Sequence, residues 1–221
     1  MKNAASYCVL FSAICFSFGG LFYKVAEWNS LAICSARSII AFVVILVFLL
    51  IRKHKFVFNK NVVFAALANS LTAILYSISN KMTTAGNVIV LQFTMPIFVI
   101  LITTIAYKNK PSKLELRTCF LVLFGIVLFF IDSISAGNML GNSLALISGV
   151  TYALYFIFNK KQDSDPFTAI LLSLVISSLV GLPELLNTDI VNSSTNTLLS
   201  VVGAWITSTI CWTSSISVWL N

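Results

Sequence analysis

The chain has 221 residues, of which 58% are hydrophobic and only 10% are charged. Soluble domains are about 25% charged, so a soluble fold is excluded, and a mean hydropathy of +0.97 excludes intrinsic disorder. The net charge of +7 is typical of basic connections on one side of a membrane rather than of a nucleic-acid groove, which would interleave basic and aromatic residues. Composition therefore predicts an all-α polytopic membrane protein.

Eight apolar runs approach or exceed the length of about 20 residues that crosses a bilayer. In chain order they cover residues 5–23, 31–51, 62–79, 87–107, 116–134, 139–158, 167–186 and 198–219. Helices are expected throughout, because backbone groups in lipid must be satisfied within each segment. The first run lacks a convincing small-residue cleavage site, so we expect an uncleaved transmembrane helix.

The basic residues concentrate in alternate connections between these runs. Eleven of the 14 lysines and arginines lie near the N-terminus or in the connections after the second, fourth and sixth runs. The positive-inside rule therefore predicts an N-terminus in the cytoplasm of a bacterial-type plasma (inner) membrane. His54 lies in the basic loop RKHK and is expected to be solvated.

Two segments in different halves of the chain resemble each other. AICFSFGGLFYK (13–24) ends the first run and GVTYALYFIFNK (149–160) ends the sixth, so that Phe22 matches Phe158 and Lys24 matches Lys160. Because the copies are five spans apart, an odd number, the second is predicted to be inverted in the membrane. Inverted repeats are typical of secondary transporters.

These motifs resemble those of the EamA-type transporters of the drug/metabolite transporter superfamily. FSFGGLFYK supplies the Gly19 and Lys24 that end the first run in that family, and SARSIIAFVV supplies an arginine, Arg37, in the second. NVIVLQFTMPIFVIL places Pro96 in the fourth run, and GNSLALISGVTYALYFIFNK resembles the opening of a second repeat.

The resemblance implies a fold of two inverted five-helix repeats, of which this chain contains only a part. Residues 1–135 are expected to form the first repeat, and residues 136–221 an incomplete second repeat of about three helices. The family usually has ten spans, and from about residue 203 the sequence departs from its pattern. We therefore expect a C-terminal truncation with an aberrant tail.

Arg37 lies about six residues into the second run. An arginine at mid-helix costs about 2.5–3.5 kcal/mol on insertion scales. It is therefore expected to face a polar interior, where it pairs with an acid, a carbonyl or an anionic substrate. The alternative is that its long side chain reaches the outer headgroups.

Polar side chains recur at helical spacing on the third and sixth runs. The third carries Asn69, Thr72, Tyr76 and Asn80, and the sixth carries Ser148, Tyr152, Tyr155 and Asn159. Spacings of three and four residues place each set on one helical face. These faces either line a polar cavity between the repeats or join helices by hydrogen bonds, and the sequence leaves both alternatives open.

Gln92 and Pro96 are one helical turn apart in the fourth run. Proline has no N–H, so the carbonyl of Gln92 loses its helical partner. That carbonyl either binds substrate or only marks a kink.

The leading hypothesis is a secondary transporter, an exporter of small organic metabolites, amino acids or drugs that works by alternating access. The predicted substrate pathway consists of Arg37, Asn69, Thr72, Tyr76, Gln92, Pro96, Tyr152 and Tyr155. The alternative is a truncated remnant that inserts without transporting. A membrane-embedded enzyme is disfavoured, because one loop histidine and no mid-membrane acid supply no catalytic set. The expected partners are a small-molecule substrate, the lipid bilayer and a second copy in a homodimer, with no metal, cofactor or nucleic acid.

Overall fold

The computed structural model describes residues 19–20, 22–108, 111–133, 138–161, 164–188, 197, 199–203 and 206. Within them lie seven bounded helices and no strand, which confirms the all-α prediction. The helices are α1 Ser30–Ile51, α2 Lys60–Met82, α3 Ala85–Gln92, α4 Met95–Tyr107, α5 Lys113–Ser133, α6 Met139–Asn159 and α7 Pro166–Leu186. Most of the first and eighth predicted spans, and most of the tail after residue 203, lie outside the described residues.

Five segments in the described part of the chain are long and apolar enough to cross a membrane. They are Ser30–Ile51, Lys60–Met82, Ala85–Ala106, Met139–Asn159 and Pro166–Leu186, and they correspond to the second, third, fourth, sixth and seventh predicted spans. The fifth predicted span corresponds to α5, a helix of 21 residues. The polytopic membrane architecture predicted from hydropathy is therefore confirmed.

Side-chain caps fix where several helices begin. The Thr84 side chain accepts a hydrogen bond from the Asn87 N–H at the start of α3, and the Asn138 side chain accepts one from the Leu140 N–H at the start of α6. Asp165 caps α7 by accepting hydrogen bonds from the first backbone N–H groups of that helix. Each cap satisfies donors that a helix leaves unpaired at its N-terminus.

The fourth predicted span is interrupted between α3 and α4, at Phe93 and Thr94. Pro96 lies in the first turn of α4, where its missing N–H removes no helical hydrogen bond. The Thr94 hydroxyl donates to the Leu91 carbonyl at 2.6 Å and helps to close the end of α3. Where the sequence predicts a kink, the helical hydrogen-bond pattern therefore has a break of two residues, while the torsions of Phe93 and Thr94 stay in the right-handed helical region.

The centre of the bundle is formed by α1, α2, α6 and α7. The most extensive contacts join α2 to α6 and α1 to α7. The α1–α7 pair is antiparallel, because Asn29, before α1, donates to Glu184 near the end of α7, whereas His54, after α1, contacts Asp165 at the start of α7. The sequence offset that matches Lys24 to Lys160 also relates the first residues of these two helices, Ser30 and Pro166.

Small residues allow α1 and α7 to approach closely. A Cβ atom at Gly181 would collide with the Leu31 carbonyl group and would lie 2.9 Å from the Cβ of Ser35. Across the same contact, the Ser35 hydroxyl donates to the Ser178 carbonyl at 2.9 Å. A Cβ at Gly125, in α5, would meet nothing within 4 Å. Close packing at small residues is the usual way in which membrane helices associate.

The prediction that His54 is solvated is wrong. Its Nε2 lies 2.9 Å from Asp165 Oδ2, and its side chain is only 26% exposed. Beside this pair, the Val57 N–H donates to the Thr168 hydroxyl at 3.3 Å. The antiparallel packing of α1 and α7 brings the cap of α7 to this loop, across 111 residues of sequence. We call His54, Val57, Asp165 and Thr168 the basic-end clasp, because the connections rich in lysine and arginine lie at this end of the bundle.

Candidate functional site

Arg37 is half-buried in α1 and faces two tyrosines. Its guanidinium carbon lies 5.9 Å from the centroid of the Tyr23 ring, a cation–π geometry. The Tyr23 hydroxyl is 2.9 Å from the Ser77 hydroxyl, and the Tyr23 and Tyr76 rings meet edge to face at 5.9 Å. Among the described residues, no carboxylate oxygen lies within 4 Å of Arg37. The described neighbours of this guanidinium are therefore tyrosines and the Cys34 side chain, rather than a carboxylate.

Two buried hydrogen-bonded pairs connect α2 to the helices of the second half. Asn69 Nδ2 donates to the Ser173 hydroxyl in α7 at 2.7 Å, and the hydroxyls of Thr72 and Thr151 in α6 are 2.7 Å apart. We call these four residues the polar seam. Each pair satisfies polar groups that neither lipid nor an apolar core could satisfy. Asn69 and Thr72 are therefore interhelical bonding groups in this conformation, which is one of the two alternatives that the sequence left open.

The break between α3 and α4 contains a buried acceptor. Gln92 is only 7% exposed, and no described residue donates a hydrogen bond to its Oε1. Gly149 of α6 packs against the break, since a Cβ there would lie 3.1 Å from the Thr94 hydroxyl and 3.3 Å from the Leu91 carbonyl. An unsatisfied buried acceptor costs about 1–3 kcal/mol, which a donor on a bound solute would recover.

Tyr152 and Tyr155 lie in a different environment from Arg37. Their rings stack with centroids 6.0 Å apart, and Tyr155 belongs to the apolar cluster that includes Leu49 of α1 and Val62 of α2. Tyr76 belongs to the other buried cluster, with Tyr23. The eight predicted pathway residues therefore form four groups: Arg37 with Tyr76, Asn69 with Thr72 in the polar seam, Gln92 with Pro96 at the break, and Tyr152 with Tyr155.

Three residues that complete these groups were not singled out from the sequence: Tyr23, Thr151 and Ser173. Two of them carried a usable signal. Tyr23 precedes the lysine of the repeated motif, and Ser173 follows Arg37 by the same offset that separates Lys24 from Lys160. Extending the repeat alignment beyond its motifs would therefore have matched Arg37 to a residue of the polar seam.

The described part of the chain contains no group of three or more His, Cys, Asp or Glu side chains that could hold a metal ion. Among the groups that it offers a ligand are an arginine beside the Tyr23 ring and buried amide acceptors at Asn80, Asn87 and Gln92. These groups can bind polar parts of a small solute.

Comparison with known protein families identifies a match that begins near the N-terminus. The model of the EamA-like transporter family matches residues 4–131, more than half of the chain. No curated protein matches the chain. The matched range includes Arg37, Tyr76, Gln92 and Pro96 and ends within α5.

Proposed function

The chain belongs to the EamA-like transporter family, and from this premise we propose that it exports small organic metabolites, amino acids or drugs across the plasma membrane. Membership makes it an integral membrane transporter of small solutes. The direction, the solute and alternating access are our proposal. The observation that carries it is Arg37, a charge among apolar helices that faces Tyr23 and Tyr76.

Arg37 of α1 and Gln92 of α3 suit a solute with both an acceptor and a donor. A guanidinium binds carboxylates in a fixed two-pronged geometry, and Arg37 lacks a carboxylate partner among the described residues. Gln92 Oε1 can accept a hydrogen bond, and no described residue donates one to it. An amino acid carries one group for each, which supports amino acids as the first substrates to test.

Alternating access is supported by the arrangement of α1 and α7. Inverted-repeat transporters hold their substrate near the membrane midplane, between halves that rock against each other. Here α1 and α7 begin at positions related by the repeat offset, and they run antiparallel. The helix break at Phe93–Thr94 adds irregular backbone that packs against α6, the environment in which a membrane protein tolerates it.

Efflux from proteoliposomes tests the function directly. Vesicles containing the purified protein would be loaded with a mixture of the common amino acids or with ethidium, an organic cation. Efflux would be measured with and without a pH gradient, by mass spectrometry for the amino acids and by fluorescence for ethidium. We expect one class to leave faster than from protein-free vesicles. If neither does under any gradient, the proposed export of these solutes is refuted.

We propose that the N-terminus and the basic end of the bundle face the cytoplasm, because the positive residues concentrate there. Lys55→Cys and Thr188→Cys would be introduced separately into a chain free of native cysteine. Lys55 is exposed beside His54, near the start of α7, and Thr188 comes just after the C-terminal end of α7. A membrane-impermeant maleimide added to intact cells should label position 188, and position 55 only after permeabilisation. The reverse pattern would show that the orientation is inverted.

A further inference from the structure

A cavity of about 690 Å³ lies at the basic end, between α4, α5 and the end of α6. Its walls include Pro96 and Ile100 of α4, Leu114 of α5 and Phe156 of α6. None of the described residues that line it belongs to α1, α2 or α7. The cavity is therefore separate from the polar seam and from Arg37, and its volume is within the usual range of about 300–1,000 Å³ for ligand pockets.

The interior of the cavity is mainly apolar, although threonines contribute to its walls. The Thr103 hydroxyl donates to the Val99 carbonyl at 2.7 Å, and the Thr118 hydroxyl donates to the Leu114 carbonyl at 3.0 Å. Each hydroxyl is thus satisfied by its own helix. What these walls offer an occupant is mostly hydrocarbon contact, which suits an alkyl chain better than a polar solute.

The depth of the cavity matches one leaflet of a bilayer. From Met95 to Thr104 its wall follows nine residue steps of α4, which is about 14 Å at 1.5 Å per residue and close to half of a hydrocarbon core of about 30 Å. Leu101, Ile105 and Phe120 nearby are more than half exposed. The outer faces of α4 and α5 are therefore apolar surfaces suited to lipid.

The mouth of the cavity carries two lysines, Lys160 and Lys161. Among the described residues, no carboxylate oxygen lies within 4 Å of either ammonium group. Lys161 Nζ donates to Asn61 Oδ1 of α2 at 3.3 Å and lies 5.2 Å from the centroid of the Phe158 ring, so its described partners are neutral.

Glu115 also lines the cavity, but its carboxylate is engaged elsewhere. Its Oε2 accepts a hydrogen bond from the Ser112 N–H at 2.7 Å. The hydrogen bonds from the backbone and then the side chain of Ser112, with a smaller contribution from the positive charge of Lys160, hold the pKa of the Glu115 carboxyl below its usual range. This carboxylate caps the start of α5, and since its oxygens lie more than 4 Å from the Lys160 ammonium, it offsets the two lysine charges only in part. The mouth of the cavity therefore keeps a net positive charge.

We propose that this cavity binds an anionic phospholipid, with one acyl chain between α4, α5 and α6 and its phosphate at Lys160 and Lys161. Basic pockets between helices at a membrane surface bind such headgroups. The occupant also has a structural use, because α5 makes the fewest contacts with the other described helices. A bound lipid would join α5 to the bundle. This inference does not depend on which solute the protein transports.

Binding of defined lipids to the purified chain in neutral detergent tests the site. The probes are dioctanoyl phosphatidylglycerol, dioctanoyl phosphatidylcholine and glycerol 3-phosphate, and the readouts are native mass spectrometry and the thermal midpoint. We expect one phosphatidylglycerol molecule to bind each chain with high affinity and to raise the thermal unfolding midpoint. Phosphatidylcholine should bind more weakly, and glycerol 3-phosphate should not bind, because it lacks a chain to fill the cavity.

Variants then locate the site. The double variant Lys160→Gln and Lys161→Gln should weaken phosphatidylglycerol binding about thirtyfold, since each lysine near a headgroup contributes about 1 kcal/mol. The matched control changes Lys53 and Lys55 to Gln at the same end of the bundle, outside the cavity lining, and should bind as the parent does. Thr104→Trp should fill the cavity and abolish binding. Size-exclusion chromatography should show that this variant still elutes as a single species.

Three results would overturn the proposal. Undiminished phosphatidylglycerol binding by the Lys160 and Lys161 double variant would place the lipid elsewhere. Equal binding of phosphatidylcholine would show that only hydrocarbon is recognised. Equal binding of glycerol 3-phosphate would make the site one for a free phosphate.

Discussion

Replacing Arg37 by leucine is expected to abolish solute efflux while leaving the amount of folded protein in the membrane unchanged. The guanidinium lies against the Tyr23 ring and near Tyr76, and a charge-assisted hydrogen bond to a substrate contributes about 1.5–3 kcal/mol. Losing two such bonds would lower the rate at least a hundredfold. Insertion should not suffer, because removing the charge removes an insertion cost of about 2.5–3.5 kcal/mol.

Two further variants separate the role of this position from a general effect of losing charge. Arg52→Leu removes an exposed arginine at the end of the same helix, above the Phe48 ring, and should leave efflux unchanged. Arg37→Lys keeps the charge without the two-pronged donor and should give an intermediate rate. Wild-type efflux by Arg37→Leu, at equal protein in the vesicles, would remove Arg37 from the pathway.

Replacing Gly181 by alanine should destabilise the protein, whereas the same change at Gly125 should not. The new methyl group at position 181 would overlap the Leu31 carbonyl group, so α1 and α7 would have to separate. Overpacking of this kind typically costs about 1–3 kcal/mol. At position 125 nothing lies within 4 Å of the new atom, and alanine is favoured over glycine within a helix by about 0.5–1 kcal/mol.

Unfolding of both variants in detergent, followed by circular dichroism against added sodium dodecyl sulfate, measures this difference. The midpoint for Gly181→Ala should fall and that for Gly125→Ala should stay or rise. Equal midpoints would mean that the close contact between α1 and α7 contributes little to stability.

The positions of the helices could be predicted because the bilayer sets their length. The apolar runs 31–51 and 139–158 became α1 and α6 with boundaries within one residue, since a span must cover about 30 Å of hydrocarbon. Pro96 indicated a kink. Whether the chain kinks or breaks there depends on what packs against it, and Gly149 of α6, which is distant in the sequence, approaches the break closely.

The candidate site could be predicted only one helix at a time. Helical spacing put Asn69, Thr72 and Tyr76 on one face of α2, and all three are buried there. Spacing within a helix carries no information about the partner on the next one. The Ser173 hydroxyl that receives the Asn69 hydrogen bond is 104 residues away. For the same reason, a loop histidine that looked solvated has Asp165 as its partner.

The antiparallel pair α1 and α7 is tied at both of its ends. The basic-end clasp joins His54 to Asp165, and at the opposite end Asn29 Nδ2 donates to Glu184 Oε2 at 2.9 Å. Together with the tight contact at Gly181, these ties oppose a tilt of one helix relative to the other. The pair therefore joins one helix of each proposed repeat to a helix of the other. In the rocking motion proposed above, a pair that keeps these ties would move as one unit, and the remaining helices would move about it.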